Sequence, residues 1–511
     1  MLASTLCYGL SGVSGFAVKV EVYAATGMPQ LEIIGLPDAS VKESRDRVNA
    51  AIVNSGFAMP IARLTINLAP ADQRKEGPAF DLPIAVAVLM ASGQVPNVDM
   101  SHTLLMGELS LDGSLQPVRG ALPMVISASE QGIHDVILPE ANSHEVDCIQ
   151  GVNVHPAASL KQVIAHLRGT EHIPAQVQRS YQELLDETRC AVDMSQVQGQ
   201  VGARRALEVA AAGGHNMLMI GTPGSGKTML ARCLPGILPP MTFEEALETT
   251  RINSIAGKLK PGEGLMITRP FSSPHHSASV ASIIGGGSNA KPGEVSLSHN
   301  GILFLDELPE FSKQALEALR QPMEDGFVTI ARVANQAEYQ SRFMLIASMN
   351  PCPCGYFGSK TRKCRCNPTE IRRYLDRVSG PLLDRIDIQI EVDSVPVREI
   401  NQSKPAESSA EVRKRVTRAR EIQQERYKGE GIYCNAALTS KMLRKYCPLS
   451  DEATNVLHMA VDRMGMSMRA YSRVLKVART IADLAGEESI STVHIAEAIQ
   501  YRELDQKYWN K

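Results

Sequence analysis

The sequence predicts an α/β chain in three parts: a mixed α/β amino-terminal region, a central unit of buried parallel strands, and a helical carboxy-terminal region. Three observations point to this. Residues 1–168 interleave alternating, strand-like runs with helical ones. Three short, largely apolar runs in the centre (217–220, 302–305 and 343–348) end at glycine-rich or polar residues, as buried strands do. Beyond residue 408, helical spacing dominates.

In the first region, residues 17–24, 30–36 and 63–68 alternate in the β manner, and 104–109 reads as a further strand. Residues 38–55 carry Val41, Val48, Ala51 and Ile52 at helical spacing, and 78–90 opens a second helix. The stretch GELSLDGSLQPV, 107–118, predicts a hairpin turning at Asp112-Gly113. Residues 169–190 are polar and predict a partly helical connector, before a central unit over 191–395. Residues 404–411 read as a linker. Within it Ser408-x-x-Glu411 forms a capping box for a helix with Val412, Val416, Ala419 and Ile422 on one face, opening a helical domain over 405–505.

Bulk properties bound the function. At 511 residues the chain has room for three or four domains of roughly 100–200 residues. A net charge of −2 argues against nonspecific coating of nucleic acid, while a basic channel inside an otherwise acidic assembly is compatible with it. No apolar run is long enough for a bilayer, since Asp81 interrupts the best one, 79–95. The first twenty residues lack the early positive charge of a secretory signal. Ten cysteines in a chain of this length are no disulfide scaffold. The expectation is a cytoplasmic protein that does not engage membranes.

The central unit carries the chemistry. Gly221, Thr222, Pro223, Gly224, Ser225, Gly226, Lys227 and Thr228 fill the G-x-x-x-x-G-K-[ST] template between an apolar strand and a helix start. Such a loop turns its backbone N–H groups onto phosphate oxygens, and the helix adds its positive end. Lys227 would reach the β- and γ-phosphates of ATP and Thr228 would ligate Mg²⁺. The run 301–305 then ends in two carboxylates: Asp306 to hold Mg²⁺ through water and Glu307 to polarise the attacking water. Two carboxylates there favour hydrolysis over phosphoryl transfer to a second substrate.

Farther on, Cys352-x-Cys354 and Cys364-x-Cys366 set four thiols beside Lys360, Arg362, Lys363 and Arg365. They suit a tetrahedral structural Zn²⁺ site, and the neighbouring cations favour thiolates. A redox pair and unligated thiols are the competing readings.

These motifs, in this order, resemble the AAA+ ATPases. The resemblance makes Asn350, at the end of the third apolar run, the sensor 1 residue that positions the lytic water. It also puts Gln200-Val201-Gly202 near adenine. The segment Leu382-Leu383-Asp384-Arg385-Ile386-Asp387 resembles the L-L-x-R-[FI]-D motif of the MCM and magnesium-chelatase branch, which implies that Arg385 is an arginine finger serving a neighbouring subunit. The competing reading of Arg385 is a salt bridge to Asp384 or Asp387. Arg469 matches the sensor 2 arginine of that branch, with Arg473 one helical turn on as the fallback.

Residues 1–168 resemble the ribosomal-S5-type fold of Lon-like proteases. Ala79 stands where the nucleophilic serine would follow Gly77-Pro78, and Leu122 where the lysine would be, so no protease activity is expected. Taken whole, the chain resembles the ComM/YifB family, which implies a homo-hexameric, ATP-driven DNA motor with a helical lid. The resemblance further implies helicase or branch-migration activity on single-stranded, forked or branched DNA, alongside recombination proteins in natural transformation. Within it, 268–288, with His275 and His276, matches a pore-directed insert. Residues 326–342, with Arg332 and Arg342, match a DNA-contacting hairpin; rim arginines in water are the bland alternative. The runner-up function is a magnesium-chelatase-type motor that remodels a partner protein. An ATP-dependent protease and a nucleotide-gated scaffold stand behind it.

Overall fold

The computed structural model describes the chain except residues 12–13, 187–191, 260–263, 288–289, 332–335, 360–361, 395–405 and 510–511. It divides into two units: Met1–Glu187 with Thr242–Ile267, and Thr188–Met241 with Thr268–Lys511. The stretch Thr242–Ile267, read from sequence as part of the central unit, thus groups with the first.

The first unit is a seven-stranded mixed sheet. Its strands are β1 (Leu2–Ser11), β2 (Ser14–Ala25), β3 (Gln30–Ile34), β4 (Arg63–Ala69), β5 (Thr103–Leu105), β8 (Asp135–Pro139) and β9 (Asn153–Ala157), ordered β3-β4-β2-β1-β5-β8-β9. The predicted helix at 38–55 is Ala39–Asn54, capped by the Asp38 carboxylate accepting from Val41 N–H. It buries Val41, Val48, Ala51 and Ile52, and also Ser44. The Ser44 hydroxyl donates to Asp81, whose carboxylate also accepts from Arg47 Nε at 2.7 Å and Leu109 N–H at 3.2 Å. Those partners let a fully buried carboxylate open the apolar helix Asp81–Ala91. The predicted strand over 104–109 divides into β5 and β6 (Glu108–Leu109), because Gly107 leaves the sheet. Gly107 N–H donates to Ala79 O at 3.0 Å and Gly107 O accepts from Leu82 N–H at 3.0 Å. The expected hairpin is present, β6 pairing antiparallel with β7 (Leu115–Gln116) around Asp112-Gly113.

The second unit is built on a five-stranded parallel sheet, ordered β11-β14-β17-β10-β18. The strands are β10 (Met217–Gly221), β11 (Phe271–Ser272), β14 (Ile302–Leu305), β17 (Met344–Met349) and β18 (Ile388–Val392). Every residue of β10, β14 and β17 is buried, which explains why they read as unbroken apolar runs. Each fully buried Leu, Ile or Met there contributes about 1.5–3 kcal/mol. Two ribbons stand apart from the sheet: β12 (Gly285–Gly286) with β13 (Lys291–Pro292), and β15 (Phe327–Ala331) with β16 (Gln336–Gln340). The second is the hairpin predicted over 326–342.

The helical domain follows. Ser409–Arg426 starts at the predicted Ser408–Glu411 capping box. Met468–Ala485 starts where Ser467 accepts from Ala470 N–H and buries Val474, Val477 and Ile481. No helix among the described residues is long and apolar enough to cross a membrane.

Candidate active site

Strand register brings the motif residues together. Ile220 pairs with Met349, and Leu305 with Ala347, so Gly221, Asp306 and Asn350 emerge at the carboxyl ends of three adjacent strands. In open parallel sheets that edge is where ligands bind.

The loop after β10 is shaped for an anion. Gly224 and Gly226 take φ of +77° and +92°, and a Cβ at either would meet no atom within 4 Å. The loop therefore borders open space, in a conformation that favours glycine. Ser225 Oγ is buried with no hydrogen-bond partner among the described residues. Lys227 leads the helix Lys227–Ile237 and donates to Gly221 O at 2.8 Å, Thr222 O at 2.9 Å and Asn350 Oδ1 at 3.4 Å. Burial lowers the pKa of its ammonium, against the opposing pull of Asp306 and Glu307. Gln200 Nε2 donates to Ser225 O at 3.2 Å and to Asp393 O, tying the proposed adenine-side segment to the loop.

Thr228 Oγ1 donates to Asp306 Oδ2 at 3.0 Å. The other oxygen, Oδ1, accepts from the Ser348 hydroxyl and from Glu307 N–H at 3.1 Å. An open glycine cradle, an unpartnered buried hydroxyl and a hydroxyl–carboxylate pair fit a Mg²⁺-bound polyphosphate. Glu307 has a left-handed backbone (φ +54°) and an exposed carboxylate, 3.7 Å from His276 Nδ1. His276 therefore lies beside the proposed catalytic carboxylate. His275, its ring centroid 4.0 Å from that of His276 and tilted by 35°, bonds Ser277 Oγ at 2.8 Å.

Ser348 opens the Ser348-Met349-Asn350 stretch of the resemblance, which gives it no role of its own. The one signal for it is a hydroxyl inside an otherwise apolar strand, next to the strand that ends at Asp306.

The distal arginines separate. Arg385 is only 9% exposed; it donates to Pro381 O at 2.6 Å and pairs with Glu324, rather than with Asp384 or Asp387. Arg473 lies 2.8 Å from Asp387 Oδ1, and His215 Nδ1 lies 3.3 Å from Asp387 Oδ2. Burial would raise the pKa of Asp387; Arg473 and His215 outweigh it and hold the carboxyl well below the usual range. Arg473 thus serves the packing of lid on sheet. Arg469 is 67% exposed, 3.5 Å from Asp384.

The two arginines should part in experiment. Arg473→Ala strands a buried carboxylate and is expected to cost about 3–5 kcal/mol. Arg469→Ala should stay within about 0.5 kcal/mol of wild type, as exposed positions do. Urea unfolding of the two variants checks both.

Arg342 is exposed, while Arg332 lies outside the described residues. Hairpin β15–β16 packs on ribbon β12–β13: a Cβ at Gly285 would lie 2.6 Å from Ile330 Cδ1, and Tyr339 Oη donates to Ala290 O at 3.0 Å.

The four cysteines converge. Cys352, Cys354, Cys364 and Cys366 have Sγ atoms all within 4.8 Å of one another. Three of the separations are 3.4 Å (Cys352–Cys354), 3.6 Å (Cys354–Cys364) and 3.7 Å (Cys352–Cys364). Zn–S bonds of about 2.3 Å give tetrahedral S···S edges of about 3.8 Å, whereas a disulfide needs about 2.05 Å. The cluster is compatible with Zn²⁺. Phe357 N–H donates to Cys352 Sγ at 3.3 Å. The Arg365 N–H draws the Cys354 thiol down, and burial pushes Cys352 up.

Comparison with known proteins gives the family. Residues 193–400 match the family described as magnesium chelatase, subunit ChlI; residues 20–142 match subunit ChlI of Mg-chelatase, and 406–502 its C-terminal family. The chain is 42% identical to Competence protein ComM of Haemophilus influenzae over 96% of its length and 95% of the relative's. It is 44% identical to the uncharacterized protein YifB of Salmonella typhimurium, over 97% and 96%. An archaeal Lon protease of Thermococcus kodakarensis is 28% identical over 162 residues, 30% of this chain and 25% of that protein. The chain belongs to the ComM/YifB family of magnesium-chelatase-like AAA+ ATPases.

Proposed function

We propose that the protein is an ATP-hydrolysing, homo-hexameric DNA motor that unwinds or migrates forked and branched DNA. Its role would be to integrate incoming single-stranded DNA in natural transformation, together with recombination proteins. The observation that carries the reading is the convergence of Lys227, Thr228, Asp306, Glu307 and Asn350 at one sheet edge. Likeness to a relative named a competence protein supplies the DNA context.

In this reading, Lys227 and the N–H groups of 221–228 bind the β- and γ-phosphates. Thr228 and Asp306 hold Mg²⁺, which neutralises the charge that builds up during phosphoryl transfer. Ser348 fixes the Asp306 carboxylate. Glu307 polarises the attacking water and Asn350 orients it. Arg385 from a neighbouring subunit supplies charge to the transition state, and Arg469 closes the site from the lid. Arg332, Arg342, His275 and His276 contact the DNA. The four cysteines hold a structural Zn²⁺. The front unit is a non-proteolytic Lon-like domain, because Ala79 and Leu122 supply neither nucleophile nor base.

The second reading, remodelling of a partner protein, is favoured by the magnesium-chelatase matches along the chain. Steady-state ATP turnover with and without forked DNA separates the two. Stimulation by DNA is the expected result. A rate indifferent to DNA but raised by a protein partner selects remodelling.

A further inference from the structure

The four-cysteine loop does not stand clear of the ATP site. Cys352 is fully buried, two residues beyond Asn350, whose Oδ1 lies 3.4 Å from Lys227 Nζ. Gly355 N–H donates to Cys352 O at 2.9 Å, turning the chain back over the phosphate loop. At Gly355, with φ of +83°, a Cβ would sit 2.6 and 2.7 Å from Cδ and Cγ of Pro223. Gly355 therefore stands against the ring of a phosphate-loop residue with no room for a side chain between them. On its far side the loop is pinned by Phe357 against Tyr508, ring centroids 6.4 Å apart. Tyr508 Oη donates to Glu391 on β18 at 2.8 Å.

We propose that a metal ion held by Cys352, Cys354, Cys364 and Cys366 clamps the phosphate loop, pressing Gly355 against Pro223 so that nucleotide affinity depends on the metal. This rests on the zinc reading above. Among the described residues of 352–366 there is no helix or strand, so cross-linking the two cysteine pairs by metal–thiolate bonds sets where Gly355 lies. Pro223, with a fixed φ, passes that position to the N–H groups that face phosphate. Gly355 and Pro223 are thus positioning residues, acting through the loop.

The test uses the full-length protein. Metal is measured by mass spectrometry and by the absorption of a Co²⁺-substituted sample; affinity is measured with a fluorescent ADP analogue. About one metal per chain is expected, with a tetrahedral thiolate spectrum. Absence of stoichiometric metal overturns the zinc reading, and the clamp with it. Cys364→Ser should lose the metal and weaken nucleotide binding about tenfold or more. Metal loss with unchanged affinity overturns the clamp alone. Gly355→Ala should weaken binding while keeping the Co²⁺ spectrum, and adding Pro223→Ala should recover affinity by removing the atoms the new Cβ meets. The left-handed strain at residue 355 is the same in the single and double variants, so recovery reads the contact itself. Failure to recover overturns the clamp even where Cys364→Ser folds poorly.

Discussion

Arg385→Ala is expected to lower ATP turnover by about 10³–10⁵-fold, the range of arginine fingers in phosphoryl transfer, with nucleotide affinity nearly unchanged. The structure makes this a demanding prediction. Within the chain, Arg385 is engaged by Glu324 and Pro381 O, and its Nε is buried without a partner among the described residues. To serve a neighbour, the guanidinium has to exchange Glu324 for phosphate on assembly, which that unsatisfied Nε favours. A purely structural arginine would lose stability when removed, and nothing more. Subunit mixing decides between them. Arg385→Ala retains Glu307 and Glu307→Gln retains Arg385, so two inactive proteins mixed in one ring rebuild complete sites at some interfaces. Recovered turnover supports the shared site; mixtures as inactive as their parents contradict it.

The second large effect is at Glu307. Glu307→Gln keeps size and polarity but cannot polarise water, so turnover is expected to fall about 10²–10⁴-fold. ATP binding should survive, because Thr228 keeps its bond to Asp306 at 3.0 Å and Lys227 its bond to Asn350 at 3.4 Å without Glu307. Equilibrium binding of a fluorescent ATP analogue, set beside steady-state hydrolysis, separates the two properties. Loss of binding would make Glu307 a structural residue of the turn instead.

Much of this was legible in the sequence because parallel strands are buried on both faces. β10, β14 and β17 announce themselves as apolar runs, and the polar residues that end them fall at one sheet edge. The lid helix Met468–Ala485 was legible through Val474, Val477 and Ile481. Strand β1 was not. It turns Ala3, Thr5 and Cys7 inward and leaves Leu2 exposed, so its large apolar residues mark the wrong face. The grouping of Thr242–Ile267 with the first unit was equally hidden. That stretch is tied there by Ser254 Oγ donating to buried Glu145 at 2.6 Å, a polar link that no periodicity reveals. Pairwise choices among arginines were hidden too: Arg473 and Arg469 sit one turn apart, and only tertiary placement gives Asp387 to the first. The contact of Gly355 with Pro223 joins residues 132 apart in sequence (355 − 223), and a glycine's missing Cβ carries no pattern.

Hydrolysis at Glu307 is expected to drive movement on DNA. Strand displacement from a forked DNA, followed by fluorescence with saturating ATP, tests it with wild type, Lys227→Ala and Glu307→Gln side by side. Wild type should unwind the fork and neither variant should, with Glu307→Gln still binding ATP. Unwinding that persists in Glu307→Gln would contradict it.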